Sequence, residues 1–254
     1  MERTVRDWGG NLAAFGFVIL MNVLSNALPI NGQTMLEISA KYPSLFTPAG
    51  FTFSIWGVIY LGLLVFVIWQ ALPAQQTNGK IARISNYFQL NCLMNGVWIV
   101  LWHYDLLVLS LVVMLVILTT LVLIYRSLIA EIASTPFLQH LVLYLPFSLY
   151  TGWITLATIA NASALQTASG WDDVGISAVQ WTLIKLAIAG AVGATLIAKY
   201  RDPVFAAVVA WAAYGISAMQ SAHLPVAGAA TSLSVLMMIL VAMEFASRIR
   251  REKT

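Results

Sequence analysis

Residues 106–126 read LLVLSLVVMLVILTTLVLIYR, from Leu106 to Arg126, and no charged side chain interrupts the run before its last position. A continuous apolar stretch of about 20 residues matches the length a helix needs to cross a hydrocarbon core of about 30 Å. Barrel strands would be near 10 residues long and would alternate in polarity. Working outward, seven further stretches have the same character. The eight predicted spans are 11–30, 48–71, 86–105, 106–126, 137–160, 178–200, 203–221 and 225–246. The third is the least apolar and the seventh the shortest. Composition agrees: 60% of the 254 residues are hydrophobic and 9% are charged, against about 25% charged in soluble domains. So few charges cannot cover a soluble surface. The expected fold class is an all-α integral membrane protein with about eight transmembrane helices.

The positive charges test that count. With the N-terminus inside, the inside segments hold Arg3, Arg6, Lys80, Arg83, Arg126, Lys199, Arg201, Arg248, Arg250, Arg251 and Lys253. The outside loops hold Lys41, and Lys185 falls within the sixth span. Asp172 and Asp173 are also outside, but acids weigh little in the positive-inside rule. The alternation predicts both termini on the cytoplasmic side of a cell membrane. The net charge of +3 is therefore a topology signal, and no nucleic-acid partner is implied. Ser25-Asn26-Ala27 resembles a signal cleavage site. The preceding run is long for a signal, and Leu28 and Pro29 follow at once, so it is read as the first span. The single cysteine, Cys92, excludes an internal disulfide and reads as a small buried apolar residue.

The connections are short, and the longest are 31–47 and 161–177. Spans three and four meet abruptly at His103-Tyr104-Asp105. Spans one to five carry most of the aromatics and amides, whereas spans six to eight are rich in Ala and Gly. The expected organisation is a module at 1–165 and an added three-helix module at 166–254. Gly190 and Ala194 form a small-xxx-small pair, which serves either packing within one chain or a homodimer face.

Polar and aromatic side chains inside spans are the informative ones. Helical rise places Trp56, Trp98, Trp153 and Lys185 roughly 10–12 Å below the outer boundary, and Asn95 at about 15 Å. Trp8, Trp69, Trp171 and Trp181 fit an interfacial aromatic belt. The deeper Trp56, Trp98 and Trp153 line a pocket or pack helices. Asn91 and Asn95, four apart, share a face, and Asn22 with Asn26 makes a second amide stripe. Each amide can bond a neighbouring helix or a ligand. Lys185 either snorkels to the outer interface or balances an anionic ligand; a retinal-type Schiff base lacks its expected aspartates. Glu244 is placed to pair with Arg248. His103, His140 and His223 show no metal-ligand spacing, and there is no phosphate-binding loop or nucleophile elbow. No catalytic constellation and no metal site are visible.

Three stretches carry a resemblance. Phe46-Thr47-Pro48-Ala49-Gly50-Phe51-Thr52-Phe53-Ser54-Ile55-Trp56, ending at Tyr60, resembles the loop and second helix of the tryptophan-rich sensory protein (TspO/MBR) family, also called translocator proteins or peripheral benzodiazepine receptors. That family shows Pro-Pro-Gly-Trp-x-Phe and then Trp-x-x-x-Tyr. Here Trp56 and Tyr60 keep the last spacing, Ala49 replaces the second proline, Phe51 replaces the first tryptophan, and one residue is missing before Trp56. The family's Asn-x-x-Trp-x-x-x-Phe is matched by Asn95, Trp98 and Trp102, with Asn91 in place of a glutamine. Its Pro-Tyr-x-x-Trp-x-x-x-Ala-x-x-x-Asn is matched by Leu149, Tyr150, Trp153, Ala157 and Asn161, with Pro146 one turn earlier. The resemblance covers roughly 11–165, the five-helix unit, and does not cover 166–254, which looks like an extension seen in longer relatives.

The resemblance implies a TspO-like five-helix bundle that binds a hydrophobic small-molecule ligand, a porphyrin or other haem-type tetrapyrrole or a sterol-like molecule. Carried over, the pocket uses Trp56, Asn91, Asn95, Trp98, Trp153 and Ala157 beneath a lid at 31–47, with Phe51, Tyr60, Asn161 and Lys185 as further candidates. The expected function is a sensor or carrier. Alternatives are a secondary transporter of a small amphipathic solute, a tetrapyrrole-degrading membrane enzyme, or an assembly partner using helices 178–246.

Overall fold

The computed structural model describes residues 3–28, 30–129, 136–171 and 175–251. Pro29, Asp172, Asp173 and Lys253 lie outside the described residues. All the regular elements described are helical. They are α1 (Val5–Ala27), α2 (Met35–Lys41), α3 (Ile55–Gln70), α4 (Gly79–His103), α5 (Leu107–Ile129), α6 (Phe137–Gln139), α7 (Leu145–Ala168), α8 (Ala178–Tyr200), α9 (Pro203–Met219) and α10 (Leu224–Arg251). A π-turn, His140–Tyr144, joins α6 to α7. Each of the eight predicted spans thus has a helix at its position. Six helical stretches are long and apolar enough to cross a membrane, among them Leu107–Ile129 and Phe137–Ala168. The others are α4, whose first turns carry Lys80 and Arg83, and α9, a shorter apolar helix of 17 residues. The chain is a multi-pass membrane protein.

Local chemistry explains the boundaries. α4 starts seven residues before the predicted third span, because Asn78 caps it by accepting from the Lys80 N–H. α3 starts at Ile55, because Gly50–Ser54 winds as a 3₁₀ turn. Only two residues, Arg201 and Asp202, separate α8 from α9. Arg201 adopts a left-handed φ of 54° at the end of α8, Asp202 accepts from the Val204 and Phe205 N–H groups, and Pro203 opens α9 without an N–H of its own. The π-turn sits just before Pro146, whose ring would clash with an ordinary preceding turn.

The contacts divide the chain into two compact units. One comprises Met1–Lys41 and Ile55–Ile154, the other Tyr42–Ser54 and Thr155–Thr254, so that α7 contributes to both. In the first unit α1 packs on α3 and α4, and α4 packs on α5. Gly96 lets the Phe17 ring lie against the α4 backbone. Three phenylalanines, Phe66, Phe88 and Phe147, are fully buried and meet nearly edge to face at 5.1–5.9 Å. Arg3, whose sequence position marked only an inside charge, is 8% exposed. Its guanidinium donates to the Gln70 carbonyl at 2.6 Å and to the Gln70 side chain. Burial lowers its pKa, and Asp7 opposes that shift.

In the second unit α10 packs on α8 and α9. Gly190 is in contact with Leu233 of α10, where an added Cβ would come within 2.7 Å of Cδ1. The small residue expected at a close helix approach is thus used inside the chain. Glu244 accepts from Arg248 Nε at 2.9 Å, as its spacing predicts, and also from Arg201 at 3.3 Å.

Candidate functional site

The site grows from one close approach in the first unit. Gly62 of α3 faces Pro146 at the start of α7, and a Cβ at residue 62 would lie 3.1 Å from the proline ring. Trp56 lies six residues before Gly62 and Trp153 seven after Pro146. The helices run in opposite senses, so both indoles rise roughly 9–10 Å on the same side of that contact. They meet there with centroids 6.3 Å apart and planes at 83°.

Two tyrosines complete the cluster. Tyr60 lies one turn from Trp56 and stacks on it at 5.2 Å with planes 20° apart. Tyr150 meets Trp56 edge on at 5.8 Å, and its hydroxyl accepts a 2.8 Å hydrogen bond from Asn95 Nδ2 of α4. Tyr150 and Trp153 are 2% and 3% exposed, whereas Trp56 and Tyr60 are half-buried. The accessible face of the cluster is therefore the stacked Trp56–Tyr60 pair. The Tyr60 hydroxyl is buried with no hydrogen-bond partner among the described residues and sits beside Asn22 of α1. A buried hydroxyl left in that state costs about 1–3 kcal/mol.

Four of the ten residues selected from the sequence, Trp56, Tyr60, Asn95 and Trp153, come together here. Asn91, one turn from Asn95, instead bonds α5: its Nδ2 donates to the Ile117 carbonyl at 3.1 Å and to Thr120 Oγ1 at 2.9 Å. Trp98 stacks on Trp102 at 5.5 Å. Tyr150, quoted from the sequence only for its spacing, joins the cluster, and so does Asn22 from the other amide stripe. The phenylalanine trio was not singled out, because three phenylalanines on three helices carry no local signal. Asn26 and Asn22 donate to carbonyls one turn back in α1, at 2.8 and 2.9 Å.

The segment expected to form a lid divides at Lys41. Its first part belongs to the first unit. Asn31, at φ 54°, donates to the His103 carbonyl at 3.0 Å, and Lys41 pairs with Asp105 at 2.9 Å. Glu37 accepts from the Thr34 N–H at 2.7 Å, a bond that holds its carboxyl below the usual range and closes a capping box on α2.

The remaining candidates lie in the second unit. Phe51 packs edge on against Trp211 of α9 at 5.5 Å and tilts against Tyr214 at 5.8 Å. Ala49 N–H donates to the Gly215 carbonyl at 3.0 Å, and Trp211 Nε1 donates to the Thr52 carbonyl at 2.9 Å. Gly215 lies directly against the Thr52 side chain, leaving no room for a Cβ. The motif stretch 46–53 is thereby seated on α9. Ala157 is half-buried and Asn161 is 3% exposed, both on α7. Lys185 Nζ donates to Gln166 Oε1 at 2.6 Å. Among the described residues no three His, Cys, Asp or Glu side chains cluster.

A family model described as TSPO-like protein matches residues 8–243. The match runs on beyond residue 165 and so corrects the expectation that the resemblance ends there: the later helices belong to the family match as well. No match was found among curated proteins or among solved structures.

Proposed function

The chain belongs to the TSPO-like protein family, and from that premise we propose that it binds a flat, largely apolar ligand of the tetrapyrrole class against the Trp56–Tyr60 face. The observation that carries this reading is the convergence of Trp56, Tyr60, Tyr150 and Trp153 with Asn95 at one level of three helices. Stacked rings offer a π face to a planar macrocycle, and the edge-on rings present their positive rims. The Tyr60 hydroxyl and Asn22 supply polar capacity for the ring nitrogens or a side-chain carboxylate. Ligand pockets commonly combine such apolar walls with a few polar groups. Tyr150, tied to Asn95, holds its edge toward Trp56 and fixes that indole's plane. The sensor or carrier would lie in a cell membrane with both termini on the cytoplasmic side, as the positive charges argue.

The test is titration of the purified full chain with protoporphyrin while tryptophan fluorescence is followed. Saturable quenching is expected, with affinity falling about tenfold for each indole removed in Trp56→Leu and Trp153→Leu. Absence of saturation in the native chain, or equal affinity in the double variant, overturns the reading.

A further inference from the structure

A second cluster of unsatisfied polar groups lies in the other unit. Pro43, Ser44, Gln166, Trp181, Thr182 and Lys185 are among the residues lining a small, open cleft. Gln166 is 6% exposed, yet among the described residues its Nε2 has no hydrogen-bond partner, and neither has the buried Trp181 Nε1. The Gln166 carbonyl oxygen is already occupied by the Lys185 ammonium at 2.6 Å. Thr182 Oγ1 donates to the Ala178 carbonyl at 2.8 Å, and Ser44 Oγ already accepts from the Phe46 N–H at 3.1 Å. What the cleft leaves unsatisfied is thus N–H capacity, beside a fixed positive charge. The cleft also opens at the first turn of α8, the positive end of that helix.

A buried donor without an acceptor costs free energy, and two of them beside an ammonium match the oxygens of an anion. We infer that this cleft binds a single oxyanion, a phosphate or carboxylate group, held by Gln166 Nε2, Trp181 Nε1 and Lys185 Nζ. Lys185 then has a specific role: the Gln166 carbonyl positions its charge and turns the Gln166 amide N–H toward the anion. The site uses none of the aromatic cluster around Trp56, so it stands or falls independently of the tetrapyrrole reading. The oxyanion has two physical sources, a lipid headgroup at the membrane surface or a solute.

The two sources are separated with the full chain labelled with 5-fluorotryptophan, its Trp181 resonance assigned by loss in Trp181→Phe. Inorganic phosphate is titrated against protein in neutral detergent. In parallel, nanodiscs of phosphatidylcholine are compared with nanodiscs that also contain phosphatidylglycerol. A saturable shift of the Trp181 resonance is expected in at least one arm. A shift with phosphatidylglycerol only assigns a lipid, and a shift with phosphate assigns a solute-accessible site. Half-saturation should rise about tenfold in Gln166→Leu and in Lys185→Gln, as for a lost charge-assisted hydrogen bond, and stay near native in Lys185→Arg. The Trp181 resonance in Lys185→Arg also reports that the fold is intact. No shift in either arm overturns the inference, as does identical saturation in Lys185→Gln and the native chain.

Discussion

Asn91 and Tyr60 show how differently two polar side chains can act inside one membrane bundle. Both were candidate ligand contacts, Asn91 from its helical spacing to Asn95 and from the family resemblance, Tyr60 from the resemblance alone. Asn91 donates its amide N–H to α5 and so ties two helices together, although its amide oxygen has no partner among the described residues. Tyr60 keeps a buried hydroxyl, beside Asn22 and with no hydrogen-bond partner of good geometry among the described residues, on the accessible face of the aromatic cluster. Their substitutions should therefore separate. Asn91→Ala is expected to cost about 0.6–2 kcal/mol of stability, the worth of interhelical polar contacts in membranes, with little change in protoporphyrin half-saturation. Tyr60→Phe should leave stability equal or slightly higher, since it deletes an unsatisfied group, while weakening protoporphyrin binding. Thermal unfolding and fluorescence titration of the two variants check both halves. A Tyr60→Phe protein that loses stability and binds normally would assign the hydroxyl a packing role.

At the scale of elements, the contact of Gly62 with Pro146 governs where the two indoles meet. α7 enters its regular part through a π-turn and a proline, and α3 offers a glycine to receive that proline. A side chain at residue 62 would push the helices apart and separate Trp56 from Trp153. Gly62→Val should cost about 1–3 kcal/mol by overpacking and should weaken protoporphyrin binding as well. Gly57→Ala, five residues earlier on the same helix, meets nothing within 4 Å. It should leave both properties unchanged, which separates the close approach from loss of glycine as such. If Gly62→Val retains native affinity, the α3–α7 contact does not set the site. The second unit uses the same device at Gly215, where α9 receives Thr52 and so seats the stretch 46–53. The change of the family's first tryptophan to Phe51 falls where the ring packs against Trp211.

For the whole molecule, the distribution of Lys and Arg predicts which loops face the cytoplasm. The single native thiol, Cys92, is buried, so a Cys92→Ala background permits clean labelling in whole cells. Thr77→Cys, before α4, should react with a membrane-impermeant maleimide only after permeabilisation. Ser169→Cys, just beyond α7, should react from outside without it. The reverse pattern would invert the topology. The helices themselves were legible because each is a separate stretch of local composition, capped by residues such as Asn78, Ser177 and Asp202 that act within a few positions. The count of six clearly membrane-length apolar helices, with α4 more polar and α9 shorter, follows the same gradation along the chain. Two further things were less visible. Arg3 marked only an inside charge, because nothing near it in sequence shows that Gln70 will be there to receive it. Gln166 drew no notice because a glutamine near a helix end is ordinary until its neighbours are known.

Sequence alone determined the helical membrane architecture, the family and the position of each indole along its own helix, since apolar length, motif spacing and rise per residue are properties of a continuous segment. Tertiary structure decided which side chains of equal depth share a site. It joined Trp56 to Tyr150 and Trp153, gave Asn91 to α5, placed Phe51 on α9 and set Lys185 against Gln166. The physical reason is rotation about the helix axes. Depth is written along one helix, but the direction a side chain faces is settled only by close approaches such as Gly62 on Pro146, which belong to two helices at once.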